Sequence, residues 1–507
     1  MMTPSLSLSL ALGGIAFIIW KTLFSRKRLP LPPGPPSLPL IGHAHLMPSM
    51  GQDLFFYELS KTYGDVIHLR VLNKSFIILN SVQAAADLLD KHGAKYGGRP
   101  SLPIYDILGM TKLFFLLNED DECHAQRKMF QQYFSKEKCK EYHTIQIREA
   151  RLLAQNLLSS PADHNNALFR FAASIIIDIT FGHQSTKATD PYIQIVSDFC
   201  DLLKQNGLPG ATPIDFFPIR EHLSVNHGGS NNETNLATVV RYFPSWFPGT
   251  YYATFAYNSV KTVQSLMQYP LAKAMEQMAN GTARPSFVSY NLDKLSHDGP
   301  EKSHQLEQIK ATSVLTYFAG AETKTKVSST LSFFILAMVL HPECQVQAQK
   351  EIDTVIGTDR LPEFEDREKL PYLECLLQEV VRWNHAAPTG LPHRNLEDDV
   401  YRDMFIPKNA TIIANIRAMT LDESVYKDAT KFDPTRFLPA PEGRNEAYRP
   451  VVFGFGRRRC PGRFLADDNL WIAIATVLAT VSILPDTDKD GKEIMPEASV
   501  MLAGVTT

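Results

Sequence analysis

The chemistry in this chain gathers at Cys460. It stands in Phe453-Gly454-Phe455-Gly456-Arg457-Arg458-Arg459-Cys460-Pro461-Gly462, a glycine-rich stretch with three arginines directly ahead of the sulfur. Thiolate is the reactive and metal-binding form of cysteine, and neighbouring positive charge lowers a thiol pKa. Gly454, Gly456 and Gly462 permit turns and close backbone approach that a Cβ would block. Such a loop can bring one sulfur up to a large flat cofactor while backbone N–H groups steady its charge. The plainer alternative is a buried structural cysteine in a turn, the commoner fate of this residue type.

Haem held by a proximal cysteine thiolate is the recognised use of this arrangement. The pattern Phe, two residues, Gly, one residue, Arg, one residue, Cys, one residue, Gly resembles the haem-binding loop of the cytochrome P-450 family. Phe453, Gly456, Arg458, Cys460 and Gly462 fill its fixed positions. The resemblance implies haem b with Cys460 as axial ligand to the iron. It also implies Arg99, Arg127, His393 and Arg458 as partners of the haem propionates, arginine suiting carboxylates by its planar fork.

A second motif, Ala319-Gly320-Ala321-Glu322-Thr323, lies in a long helical pattern over residues 308–340 that ends at His341-Pro342. A glycine inside a helix costs about 1 kcal/mol relative to alanine, so it asks for a reason, such as room for a ligand beside the backbone. By resemblance to the family's acid–alcohol pair, Thr323 offers a hydroxyl to dioxygen and Glu322 feeds protons from solvent. A Glu-Thr pair on a solvated helix face is the ordinary alternative. Lys324 departs from the family, which places a small hydroxyl residue there.

Several elements must position these groups. Glu379 and Arg382 share one side of an amphipathic helix over 372–383. In the family this pair is buried and locks to a later arginine, here Arg436. Residues 386–394 are expected to line the substrate pocket before reaching the haem edge. Residues 65–72 and 75–80 read as a β-hairpin, 84–92 as a short helix, and 145–158 and 167–181 as helices. Residues 99–117, irregular and apolar, read as a pocket wall. The helix carrying Arg127 has Cys123 where the family has Trp, which puts one propionate hydrogen bond in doubt.

Ahead of this body, residues 6–20 are apolar and residues to 24 extend the run, near the lower limit of roughly 17 residues for a spanning helix. Lys21, Arg26, Lys27 and Arg28 come after it and no Lys or Arg precedes it, which leaves the carboxyl side cytosolic. Leu31-Pro32-Pro33-Gly34-Pro35-Pro36 then reads as a stiff extended connector. The domain reading is a membrane anchor over 1–28, a proline-rich hinge over 29–42 and a haem-thiolate catalytic domain over 43–507. Residues 221–240 read as an insertion, and the tail past Pro496 reads as shortened relative to related chains. The fold implied is mainly α with small β-sheets (α+β), the cytochrome P-450 fold behind an N-terminal transmembrane helix.

The net charge of −3 gives no reason to expect nucleic acid as a partner. Six cysteines are scattered without zinc spacing or a compact disulfide framework. The resemblance, nearest to fungal microsomal members, implies a monooxygenase of the endoplasmic-reticulum membrane. Its partners would be a lipophilic small molecule and an NADPH-cytochrome reductase, with cytochrome b5 as a further electron donor. Secondary metabolism, a terpenoid for example, is implied only by association. The alternatives are a haem-thiolate isomerase or dehydratase that does not use dioxygen, and an inactive haem binder.

Overall fold

A computed structural model describes residues 29–204, 250–321 and 327–496, apart from 49, 102–104, 106–107, 109, 186–188 and 296–298. The anchor, the insertion, the aromatic stretch 243–249, the tail past Pro496, Glu322 and Thr323 all lie outside the described residues.

The architecture is mostly helical with three small sheets. The main helices are α1 (Gln52–Tyr63), α2 (Asp121–Phe134), α3 (His143–Ser159), α4 (His164–Phe181), α5 (Pro191–Lys204) and α6 (Thr250–Ala279). They continue with α7 (Phe287–Asp293), α8 (Pro300–Ala321), α9 (Val327–Leu340), α10 (Pro342–Val355), α11 (Pro371–Trp383) and α12 (Arg463–Thr480). Among the described residues no single helix is long and apolar enough to cross a membrane.

The expected hairpin forms as β1 (Val66–Val71) and β2 (Lys74–Leu79), antiparallel, with Val71 opposite Lys74. Leu72 at φ 52° makes the turn with Asn73, one residue earlier than the sequence suggests. Further along come β3 (His393–Arg394), β4 (Asp399–Tyr401), β5 (Met404–Ile406) and β6 (Thr411–Ala414). Strands β4 and β5 form a separate pair, while β3 and β6 complete the sheet begun by the hairpin. The strand order is β1-β2-β6-β3, with β2 and β6 parallel. Both faces of the sheet are buried along the second half of β2, which is why Phe76–Leu79 reads as an unbroken apolar run. Ile67, Leu69 and Ile78 face Phe56 of α1. Val66, Ile77 and Leu79 on the other face join Leu88, Leu89, Val451 and Phe455, so the sheet backs directly onto the cysteine loop.

Helix α4 is apolar on nearly every side because it runs through the middle of the helical body. Gly320 of α8 packs against it. A Cβ on Gly320 would lie 2.3 Å from Cγ1 of Ile176 and 2.8 Å from its Cβ. The reason for this glycine is therefore close helix–helix approach, which corrects the expectation of ligand room. Helix α8 also begins at Pro300, eight positions ahead of the expected start, proline being well tolerated in a first turn. Helices α3 and α4 occupy the expected spans and begin slightly earlier. The segment expected as one short helix is instead four residues of α-helix, Val82–Ala85, followed by a π-helix, Ala86–Lys91.

Glu379 and Arg382 of α11 are buried and paired, with Arg382 Nε 2.7 Å from Oε2 and Nη2 2.8 Å from Oε1. Arg436 Nε reaches Glu379 Oε1 at 3.1 Å, and both side chains are 0% exposed. Glu446, which carries no sequence signal, completes the set by accepting from Arg436 Nη1 at 2.7 Å. Carbonyls of Thr420, Ala429 and Lys431 take further N–H groups of Arg382. Two cations thus meet two carboxylates in the dry interior, with the remaining donors satisfied by backbone. Removing one member strands a buried charge, at a cost of about 3–5 kcal/mol. Glu379→Gln is expected to lower stability by that amount in urea unfolding; a loss under about 1 kcal/mol would contradict a buried scaffold role.

Candidate functional site

The loop bearing Cys460 is two tight turns joined by glycines. Val451–Phe453 and Gly456–Arg458 are 3-10 turns, and Gly454 and Gly456 hold φ of 75° and 54°, where a side chain is strained. Cys460 N–H donates to the Phe453 carbonyl at 2.8 Å, closing the loop on itself. Arg463 Nη1 donates to the Cys460 carbonyl at 3.2 Å as α12 starts. Cys460 is half-buried, whereas the other five cysteines are buried. Gly462 differs from the expectation of close approach, since a Cβ there would meet no described atom within 4 Å.

Arg458 of the loop is joined by Arg127, which reaches Arg459, and by Arg99, whose charge bears on Arg458. Arg458 is 8% exposed and donates only to neutral acceptors: Nε to Gly97 O at 2.9 Å, Nη1 to Phe114 O at 3.4 Å and Cys123 Sγ at 3.2 Å, Nη2 to Leu117 O at 2.7 Å. Cys123 therefore serves Arg458 as a soft acceptor, and burial raises its thiol pKa. Arg99, equally buried, donates from Nη1 to Leu391 O at 3.0 Å and Pro392 O at 2.6 Å. Arg127 Nη2 makes one long bond, 3.5 Å, to Arg459 O. None of the three forms an ion pair with a described carboxylate. Arg99 Nε and Arg127 Nη1 are buried without a hydrogen-bond partner. Burial, then the charge of Arg458, pushes Arg99 down to about 9, and burial also lowers Arg127.

His393 on β3 is buried, with Nδ1 3.0 Å from the Tyr96 carbonyl. A carbonyl only accepts, so Nδ1 carries the hydrogen and Nε2 presents a lone pair in the neutral ring. Burial, then the Arg99 charge, pushes His393 down to about 3. It becomes a second donor only as imidazolium, the state a nearby carboxylate favours. Phe453, Gly456, Arg458, Cys460 and Gly462 form one loop, and Arg99, Arg127 and His393 are drawn to it from three other elements.

This donor set fits a flat, anionic, iron-bearing group. A half-buried thiol stands among guanidinium groups that have N–H groups to spare and no acidic partner, and buried cations demand one.

Comparison with known proteins supplies the family. The cytochrome P450 family model matches residues 32–505. Cytochrome P450 monooxygenase 136 of Postia placenta is 36% identical over 98% of this chain and 90% of its own length. Cytochrome P450 monooxygenase 176 of the same fungus is 35% identical over 96% and 90%. Cytochrome P450 monooxygenase claR of Ampulloclitocybe clavipes is 35% identical over 96% and 86%. The chain belongs to the cytochrome P450 family, whose members carry a haem iron on a cysteine thiolate, and it is an oxidoreductase of the monooxygenase kind.

Behind the loop, α12 carries Asp467 and Asp468, which share Arg367 with Glu374. Arg367 lies 2.8 Å from Asp467, 3.3 Å from Asp468 and 2.9 Å from Glu374. Burial, only partly offset by Arg367, raises Asp468 from 3.8 to about 6. A carboxyl whose pKa is raised on folding binds more protons folded than unfolded, so stability falls as pH rises between those values. Calorimetry should show this slope between about pH 4 and 6 in the wild type and a reduced slope in Asp468→Asn. Equal slopes would mean that Asp468 does not titrate in that range.

Proposed function

We propose that this protein is a membrane-bound haem-thiolate monooxygenase that oxidises a lipophilic small molecule. Two electrons, passed from NADPH by a separate cytochrome reductase with cytochrome b5 as a further donor, are used with two protons and one dioxygen. One oxygen atom enters the substrate and the other leaves as water. The observation that carries this reading is the half-buried Cys460 in a glycine-bent loop, together with Arg99, Arg127 and Arg458, which have no acidic partners among the described residues.

The bound haem supplies the oxygen-activating chemistry; the chain supplies position, charge and protons. Cys460 Sγ would hold the haem iron, on a loop closed between Phe453 and Cys460. Arg99, Arg127, Arg458 and, as imidazolium, His393 would hold the propionates with the N–H groups they have left. Phe453 and Gly456 shape the turn, and Gly462 leaves the start of α12 without a side chain. Thr323 Oγ1 would hand protons to the bound dioxygen, and the Glu322 carboxyl would relay them from solvent.

Membrane attachment is supported by the apolar run before Lys21 and by exposed apolar side chains in and just past the hinge. Leu29, Leu31, Leu38, Leu40, Ile41 and Leu46 are exposed, Leu40 by 87%, although the segment is fixed to the body. The Phe405 N–H donates to Pro30 O at 2.7 Å and the His68 N–H to Pro33 O at 3.0 Å. In this reading a single span holds the protein to the endoplasmic-reticulum membrane, with the catalytic body on the cytosolic side. Secondary metabolism as the setting, with terpenoids among the candidate substrates, rests on association with fungal members of the family alone.

Turnover with a reductase, NADPH and isotopically labelled dioxygen should place one labelled oxygen atom in the product. An isomerase or dehydratase would leave the product unlabelled. Cys460→Ser should abolish product formation. Thr323→Ala should still consume NADPH but release peroxide, with product per NADPH reduced several-fold, on the order of the 10²-fold effects of positioned proton donors at most. Fully coupled turnover in Thr323→Ala would remove the proton role from that hydroxyl.

A further inference from the structure

The cysteine loop is gripped from outside by the turn of chain between Ala86 and Lys91. That turn is a π-helix, a rare form concentrated at functional sites because it re-aims side chains. The Gly456 N–H donates to Asp90 Oδ1. A Cβ on Gly456 would lie 2.0 Å from the Leu89 carbonyl oxygen and 3.3 Å from Asp90 Cα, so the two backbones touch as closely as glycine permits. The π turn is itself pinned. Asp87 Oδ1 accepts from Gln83 Nε2 at 2.9 Å and from Lys91 Nζ at 2.8 Å, and Asp87 Oδ2 accepts from Tyr401 OH at 2.8 Å. Leu88 and Leu89 are buried against the same core as Val451 and Phe455. Asp90 makes no ion pair with any described side chain.

We propose that Asp90 is a positioning residue for the cysteine loop. The Gly456 carbonyl already accepts from the Arg459 N–H at 3.1 Å, so the residue is held at both ends: by Asp90 at its N–H and by Arg459 at its oxygen. The turn between those two bonds leads straight into Cys460 and fixes the direction of its sulfur. Releasing the Asp90 end leaves Gly456, free to adopt many conformations, as a hinge one turn from the thiolate. This inference rests on the reading of Cys460 as the axial ligand.

The test uses the holoprotein and two replacements, Asp90→Ala, which removes the acceptor, and Asp90→Asn, which keeps Oδ1 but not the charge. Hydrogen–deuterium exchange of peptides spanning 453–460 is the first readout and does not depend on activity. Loss of one such hydrogen bond should speed exchange there by about fivefold in Asp90→Ala, with Asp90→Asn near wild type and peptides elsewhere unchanged. The second readout is the rate at which the reduced, carbon-monoxide-bound protein loses its thiolate-type spectrum, expected to rise by a similar factor in Asp90→Ala alone. Exchange and spectral stability equal to wild type in Asp90→Ala would overturn the proposal, as would a Gly456 amide that exchanges freely in the folded wild type. A wild type lacking the thiolate-type spectrum, with slowed exchange at 453–460, would refute the assignment of Cys460 and leave the Asp90 contact standing as loop support alone.

Discussion

A guanidinium carried into a protein interior needs a negative charge beside it, and the fold answers this need in two opposite ways. Arg382 and Arg436 are neutralised within the chain by Glu379 and Glu446. Arg99, Arg127 and Arg458 are not, among the described residues; carbonyls and one thiol sulfur hold them in place while their charge stays open. Desolvating three cations without an acidic partner is costly unless an anion arrives from outside the chain. A thiolate and a cofactor bearing two carboxylates would supply that anion. The closed pair of arginines is scaffold, and in the proposed reading the open set is the receptor for the cofactor's carboxylates.

The remaining structure keeps the two sets in register. Helix α11 presents Glu379 to Arg436, whose loop runs on toward residues 451–460. The sheet formed by β1, β2, β6 and β3 backs onto that loop through Ile77 and Leu79, while β3 delivers His393 from the same sheet. Helix α12 leaves the loop at Arg463 and goes directly into the core, where Trp471 is fully buried. Displacement of the sulfur is thus opposed by a sheet on one side, a core helix on another and the π turn at Asp90 on a third.

Features legible in the sequence were those whose residues lie close together along it. The spacing from Phe453 to Gly462 identified the loop, Glu379 and Arg382 announced themselves by falling on one helix face, and the hairpin could be read from its β-branched runs. Contacts through space were not legible. The glycine at 320 looked like room for a ligand because nothing in the sequence places Ile176 against it. Glu446 comes after Arg436 in an irregular stretch with no period to betray it. Cys123 departs from the family's Trp, and only the structure shows that its sulfur accepts from Arg458. The π register of residues 86–91, which brings Asp90 to Gly456, has no signature in composition.

The central claim is that one sulfur, Cys460 Sγ, holds an iron porphyrin whose carboxylates meet Arg99, Arg127 and Arg458. The most direct measurement is the absorption spectrum of the purified protein after reduction and addition of carbon monoxide. The expected result is the long-wavelength Soret band characteristic of thiolate ligation, absent in Cys460→Ser. A band of the imidazole-ligated kind, or a folded protein that copurifies with no pigment and takes up no haem, would contradict it.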